Sequence, residues 1–486
     1  MERTLAALIA TVATAFAIPL ADAGQAPGSS SDANVPVSGH DRVYAAEQFS
    51  NTVSVIDPSE NRLLGVIRLG EPSPTNFSPL YKGQVLVHGM GFSPDHHTLA
   101  VVSIGSNSVT FIDTQTNSVK HTSYVGRSPH EAFYTRDGRE VWVTVRGENY
   151  VDVLDAKTYA EKSRITTVAG PGMTIFSPDG KYGYICSSFN PEVDVVAVAT
   201  HKMVGRVPQA SPFCPNIAAT PDGKQVWFTL KDTGQTQVFD ARPPFSPITT
   251  LPTGPISNHV NFATNANGTF AYITVGGLNL VKVFRTDDFE QVATVPVGDM
   301  PHGVWPSGDG SRIYVGLENA DAMAAIDTMT NKVVAVVPIG QAPQAITYVP
   351  NAVSKGDATQ NLQPLGISGQ AAHLTLSAVG ADKSAVPATT VVLYDQGVVQ
   401  VLQAAVTGLK PKQHYTMGLS QAADGNGAFD PLAHFSTNSA GSAIVDTIGQ
   451  IRQIVSPEST EAVKRRYLVI VPDGDANSGV VQIQTP

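Results

Sequence analysis

One unit of about 42 residues recurs from about residue 41 to residue 350, and this repetition limits the chain to architectures in which each unit packs against its neighbours. Its pattern is a tier residue, often preceded by proline, then Ser-Pro-Asp-Gly, then Tyr-Val-Thr, then an apolar run ending Ile-Asp. A Thr-x-Thr-Asn turn and a last alternating run ending Val-Gly complete it. The aligned tier residues are His88, His130, Gly172, Pro215, His259, His302 and Gln344, spaced 42, 42, 43, 44, 43 and 42 apart. That period lies in the range of four-stranded propeller blades. Each unit holds four strand-length runs, for example 141–144, 150–154 and 162–168 after an inner run. Pro178-Asp179-Gly180, Pro221-Asp222-Gly223 and Arg136-Asp137-Gly138 supply the first hairpin turns.

The units are out of phase with the chain. It opens at Asp41 without an inner strand and closes at 342–348 with an inner strand alone. The last strand is therefore expected to complete the first blade and close a ring of seven, leaving no open edge. The fold class expected is all-β: a seven-bladed β-propeller over 41–350, a linker over 351–364 and a smaller antiparallel β-sandwich over 365–486. Short alternating strands such as 390–394, 398–402 and 467–471 carry that last domain.

The first 23 residues read as an export signal. An apolar run from Leu5 to Leu20 precedes the small-x-small site Ala21-Asp22-Ala23, and residues 24–40 form a flexible lead-in. The run is broken by Pro19 and falls short of the roughly 20 residues a spanning helix needs. A periplasmic or secreted protein with no membrane span is expected. In that compartment Cys186 and Cys214, the only cysteines, form either a disulfide between adjacent blades or a buried free thiol pair. Two cysteines exclude a four-cysteine zinc site and a chain-borne iron–sulfur cluster. The absence of Cys-x-x-Cys-His excludes covalent c-type haem. A net charge of −10 argues against nucleic-acid partners, which need a basic face.

Trp142-Val-Thr144, Tyr272-Ile-Thr274 and 109–119 (Val-Thr-Phe-Ile-Asp-Thr-Gln-Thr-Asn-Ser-Val) resemble the YVTN-type seven-bladed propeller repeat of exported bacterial and archaeal proteins. The superfamily so resembled includes lactonases, the haem-binding propeller of dissimilatory nitrite reductase, the propeller of nitrous oxide reductase, and thiocyanate dehydrogenase. The resemblance implies the fold and leaves function open. Residues 406–415 (Val-Thr-Gly-Leu-Lys-Pro-Lys-Gln-His-Tyr) make the C-terminal region similar to a fibronectin/immunoglobulin-type sandwich. Nitrous oxide reductase pairs its propeller with a cupredoxin domain. This C-terminal region has no cysteine, so a thiolate-ligated copper centre is excluded there.

Tier residues share one height around the channel, and four of the seven are histidine: His88, His130, His259 and His302. With Gln344 they occupy five adjacent blades. Neutral imidazole is the commonest ligand of copper, zinc, iron and nickel, so a channel site for copper or another transition metal is expected. The bland reading is that each histidine only hydrogen-bonds a neighbouring backbone. Gly172 and Pro215 leave room on the other side, flanked by Arg146 and Lys231, which together with Gln344 would hold a small anionic ligand. Three function classes follow: a channel metal or small-ligand binder, including a copper oxidoreductase; a non-catalytic exported protein whose propeller face or sandwich binds a protein partner; and a lactonase-like hydrolase, for which no acid/base set is evident.

Overall fold

The computed structural model describes residues 36–70, 85–366, 371–382, 385–395, 400–449, 466–473 and 479–485. The proposed signal, residues 1–23, and most of the lead-in, 24–40, lie outside the described residues. No described helix is long and apolar enough to cross a membrane.

Seven four-stranded antiparallel sheets form a β-propeller. Blade 1 comprises Arg42–Glu47, Thr52–Asp57 and Arg62–Arg68, with Pro343–Val349 as its inner strand. Blades 2 to 7 have inner strands Val87–Phe92, Pro129–Tyr134, Pro171–Phe176, Ile217–Ala219, Ser257–Asn265 and Pro301–Pro306. The inner strands pack on one another in cyclic order, and the ring closes by antiparallel pairing of Val43 with Tyr348 and Ala45 with Ile346. Burial follows position. Inner strands are buried along their length, whereas the outer strand Glu161–Thr166 is mostly exposed. The hairpin triplets work as their chemistry predicts. Asp137, Asp179, Asp222 and Asp309 each accept a bond from the Ser or Thr two residues before them, at 2.6–2.7 Å. The following glycines sit at φ between +66° and +71°, where a side chain is strained.

Glu47 is part of the closure between blades 1 and 7. Its buried carboxyl accepts from the Gly340 amide at 2.9 Å and from the Thr52 hydroxyl. Burial pushes its pKa up from 4.5 to about 7. A carboxyl whose folded pKa is raised stabilises the protein fully below about 4.5, and that contribution is lost as pH rises through about 7. Each pKa unit is about 1.4 kcal/mol. Glu47→Gln, which keeps the shape and cannot ionise, should therefore gain roughly 2 kcal/mol relative to wild type between pH 5 and pH 8. Thermal melts of both proteins at the two pH values check this, and a constant difference would rule it out.

The expected linker is a packed strap. Ala352, Val353 and Ala358 are buried, Asn117 donates to the Ala358 carbonyl at 2.7 Å, and Gln363 bridges to Val66. It thus spans blades 2 and 1.

Beyond it lies the expected smaller all-β antiparallel domain, whose eight described strands are hydrogen-bonded in one continuous order. The spatial order is Phe429–Ser436, His414–Ser420, Tyr467–Pro472, Gln482–Gln484, Ala372–Ala378, Thr389–Asp395, Gln400–Val406 and Ala443–Gly449. The sheet curls until its two edges nearly meet, with Thr447 donating to the Leu432 carbonyl at 3.3 Å. Leu376, Leu402, Met417 and Ile470 fill the interior.

This domain docks on the propeller face where the inner strands begin. Asn319 donates to the Thr390 hydroxyl at 2.8 Å and the Asn319 carbonyl meets His373 Nδ1 at 2.7 Å. Thr407 reaches the Gly277 carbonyl, and Phe49 and Tyr394 have ring centroids 4.5 Å apart. The face that carries the tier residues is therefore capped.

Candidate functional site

The tier is built by a repeated defect. In blades 2, 3, 6 and 7 two inner-strand residues oppose one on the neighbouring strand. The doubled pairs are His88 and Gly89, His130 and Glu131, Asn258 and His259, and His302 and Gly303. Gly172 and Gln344 stand in single-residue slips at the same level. A bulge bends the strand and re-aims its side chain, here into the channel mouth. In blades 3 and 6 the threonine of Tyr-Val-Thr fixes the bulge, whereas Val102 and Gly316 hold that place in blades 2 and 7. The Thr274 hydroxyl accepts from the His259 amide at 2.8 Å and donates to the His302 carbonyl at 2.7 Å. Thr144 joins Glu131 to the Gly172 carbonyl in the same way.

The four histidines form an arc of ring contacts. Centroids are 4.6 Å apart for His259 and His302, 6.4 Å for His302 and His88, and 4.3 Å for His88 and His130. All are buried, and His88 Nδ1, His130 Nδ1 and His259 Nε2 have no hydrogen-bond partner. His302 Nδ1 is anchored on the Gln344 carbonyl at 2.7 Å, which leaves Nε2 as its ligating atom. Burial, reinforced by the neighbouring cationic groups and imidazoles, holds His88 down to about pKa 3 and the other three well below the usual imidazole value. These rings are neutral, the form that binds metals. The Gln344 side chain turns back to its own strand, donating to the Ala342 carbonyl at 3.3 Å.

The tightest set includes a residue that sequence reasoning missed. Ligating atoms of His88, His130 and Glu131 all lie within 4.8 Å of one another. Glu131 is buried beside the Met90 amide, and burial raises its pKa to about 8. Its room comes from Gly89, where a Cβ would fall 2.3 Å from the carboxylate. The available signal was that Glu131 alone puts a metal-binding side chain after a tier histidine; Gly89, Val260 and Gly303 follow the others.

Arg146 and Lys231 stand beside the histidines. The guanidinium lies 5.7 Å and 5.3 Å from the ring centres of Phe189 and Phe213, and Lys231 Nζ lies 5.9 Å from Phe213. Among the described residues, neither has an acidic partner within 4 Å. Next to them the structure joins Cys186 to Cys214, with Cα atoms 6.0 Å apart. Cys186 replaces the repeat threonine, so a covalent link stands in blade 4 where others use a hydroxyl. Closing a loop of 28 residues' separation contributes about 3.6 kcal/mol in the chain-entropy account. Reduction, or the Cys186→Ser/Cys214→Ser double variant, should lower the melting temperature accordingly; an unchanged melt would count against it.

No protein-family model matches the chain. Over 118 residues, 24% of the chain, it is 25% identical to Protein NirF of Pseudomonas aeruginosa and 24% identical to Protein NirF of Stutzerimonas stutzeri. Each match spans only 30% of that relative's length. Among solved structures, Kuenenia stuttgartiensis hydrazine synthase superposes with a TM-score of 0.50 at 21% identity, over 57% of this chain and 90% of that one. A functionally unknown protein from Desulfotomaculum acetoxidans gives 0.51 at 14% identity, over 63% and 98%. These likenesses establish the propeller fold alone.

Proposed function

We propose that the protein binds a transition-metal ion at the capped channel mouth and presents it to a small anion. The orphaned ring nitrogens carry this reading. A buried polar atom without a partner costs about 1–3 kcal/mol, and three of them converge on one arc. A metal ion bound by His88, His130 and Glu131 would partner those two histidines, and His259 and His302 continue the same arc beside it. Imidazole nitrogens with one carboxylate suit copper, zinc, iron or nickel, and copper is the ion assigned here. Such an ion would supply Lewis acidity or electron transfer, which makes a copper oxidoreductase the reaction class proposed.

The chain's own residues do the remaining work. Arg146 offers a planar fork for an anion, and Lys231 a second positive charge. The C-terminal domain keeps bulk water from the tier. On the same reading, residues 1–23 direct export and 24–40 lead into the propeller. A disulfide suits that compartment. Elemental analysis of protein purified from its native compartment, with calorimetric titration of Cu2+ and Zn2+ into chelator-treated protein, tests the proposal. About one equivalent bound is expected, and no binding of either ion would remove it.

A further inference from the structure

We infer that the gap in the histidine tier at blade 4 is a built pocket for a small inorganic oxyanion, with Ser188 as its size- and shape-reading donor. The inference deepens the anion half of the reading above and is testable without the metal half.

The residue just past the second strand recurs at the mouth in every blade. In blades 3, 4 and 5 it is Arg146, Ser188 and Lys231, three consecutive donors, whereas blade 7 carries Glu318 and blade 1 Gln48. Ser188 and Lys231 thus stand in the two blades whose tier residues are Gly172 and Pro215, and Arg146 borders them from blade 3, whose second strand packs on the inner strand of blade 4. Ser188 is 5% exposed, and its Oγ has no hydrogen-bond partner. It faces the gap because blade 4 has Gly172 in the tier. A Cβ there would lie 2.7 Å from Ser188 Oγ and 3.2 Å from the Cys214 carbonyl. The Cys186–Cys214 link ties together the backbone on which Ser188 and this carbonyl stand.

Arg146 Nε is likewise buried and unpartnered. The rings of Phe189 and Phe213 hold the guanidinium without neutralising it. Lys231 lies in the field of Glu318, Asp232 and Asp446, so Arg146 is the anchor and Lys231 the weaker contributor. Two buried unpartnered donors, Arg146 Nε and Ser188 Oγ, with the Lys231 ammonium sharing the Phe213 ring with Arg146, suit an oxyanion with several acceptor oxygens. A spherical halide would use the charge and not the donor directions, and an organic carboxylate offers only two acceptor oxygens, both on one side.

The test is calorimetric titration of nitrate, sulfate, acetate and chloride into the full chain freed of metal by chelation. Nitrate or sulfate should bind at about one equivalent, at least tenfold more tightly than acetate or chloride. Ser188→Ala should weaken it about tenfold, as loss of one hydrogen bond to a charged group does, and Ser188→Thr should restore it. Arg146→Gln should weaken it about a hundredfold, and Gly172→Val should abolish it with the fold intact by circular dichroism. Four results would each overturn the inference: no oxyanion binding to wild type, Ser188→Ala binding like wild type, acetate binding as tightly as the inorganic oxyanions, or chloride doing so. Metal binding without oxyanion binding would sink this inference alone, and the reverse would sink only the metal reading.

Discussion

A chain ending at residue 340 should show no cooperative propeller melt, while one ending at residue 364 should melt as a folded propeller. The difference is the inner strand of blade 1. Pro343–Val349 is buried throughout, and it supplies six backbone pairings to Arg42–Glu47. Without it, Val43, Tyr44, Ala45 and Ala46, all fully buried, would face water along an open edge. At roughly 25 cal/mol per Å2 of apolar surface, several such side chains approach the whole stability of an ordinary domain. The loss spreads, because the inner strands of blades 7 and 2 both pack on this strand. Ending at residue 364 keeps the strap, including the Gln363–Val66 bridge. It removes the cap, which touches the propeller through a few polar contacts and two small apolar clusters, Ile256 and Met300 with Ala405, and Ala342 and Phe49 with Val392 and Tyr394. Melts followed by circular dichroism decide the matter, and a normal propeller melt for the shorter chain would refute the closure argument.

The repeat spacing and its phase offset made the ring and the closing strand legible, because both are fixed by which residues recur and where the chain starts. The level of His88, His130, His259 and His302 was legible for the same reason. Their aim was not. It depends on a register slip, and a bulge is a property of the pairing between two strands. Glu131 became a neighbour of His88 only through that slip. The order of strands in the C-terminal sheet was hidden because alternation reports which faces are buried and not which strands pair. Ser188 was passed over since serine at a strand end is ordinarily a turn residue; its meaning appears only beside Gly172 and Arg146, in the blade next door. The cap could not be read at all, since no local pattern says which face of one domain another will cover.

Replacing any one of the four tier histidines by alanine should lower copper affinity, and unevenly. His88 and His130 share the 4.8 Å set with Glu131, so His88→Ala and His130→Ala should cost about a hundredfold or more. His259 and His302 stand further along the arc, outside that set, and on the proposed reading their loss should cost about tenfold. Glu131→Gln, equal in size and without a charge to offer, should fall with the first pair. His97→Ala, an exposed change in a hairpin turn, should do nothing, and Gln344→Ala little, since its amide is engaged with Ala342. Stability gives an independent readout. Copper at a hundred times its dissociation constant should stabilise the wild type by about 2.7 kcal/mol. The metal-free His88, His130 and His259 variants should melt near the metal-free wild type, because removing the imidazole also removes an orphaned buried nitrogen, whereas His302→Ala also loses the bond to the Gln344 carbonyl and should melt lower. They should show little of the copper-induced rise at the same metal concentration. Structural histidines would behave in the opposite way: each alanine would lower the metal-free melt, and copper would shift none of the proteins. A wild type that neither binds copper or zinc nor melts higher in their presence would leave the arc as packing.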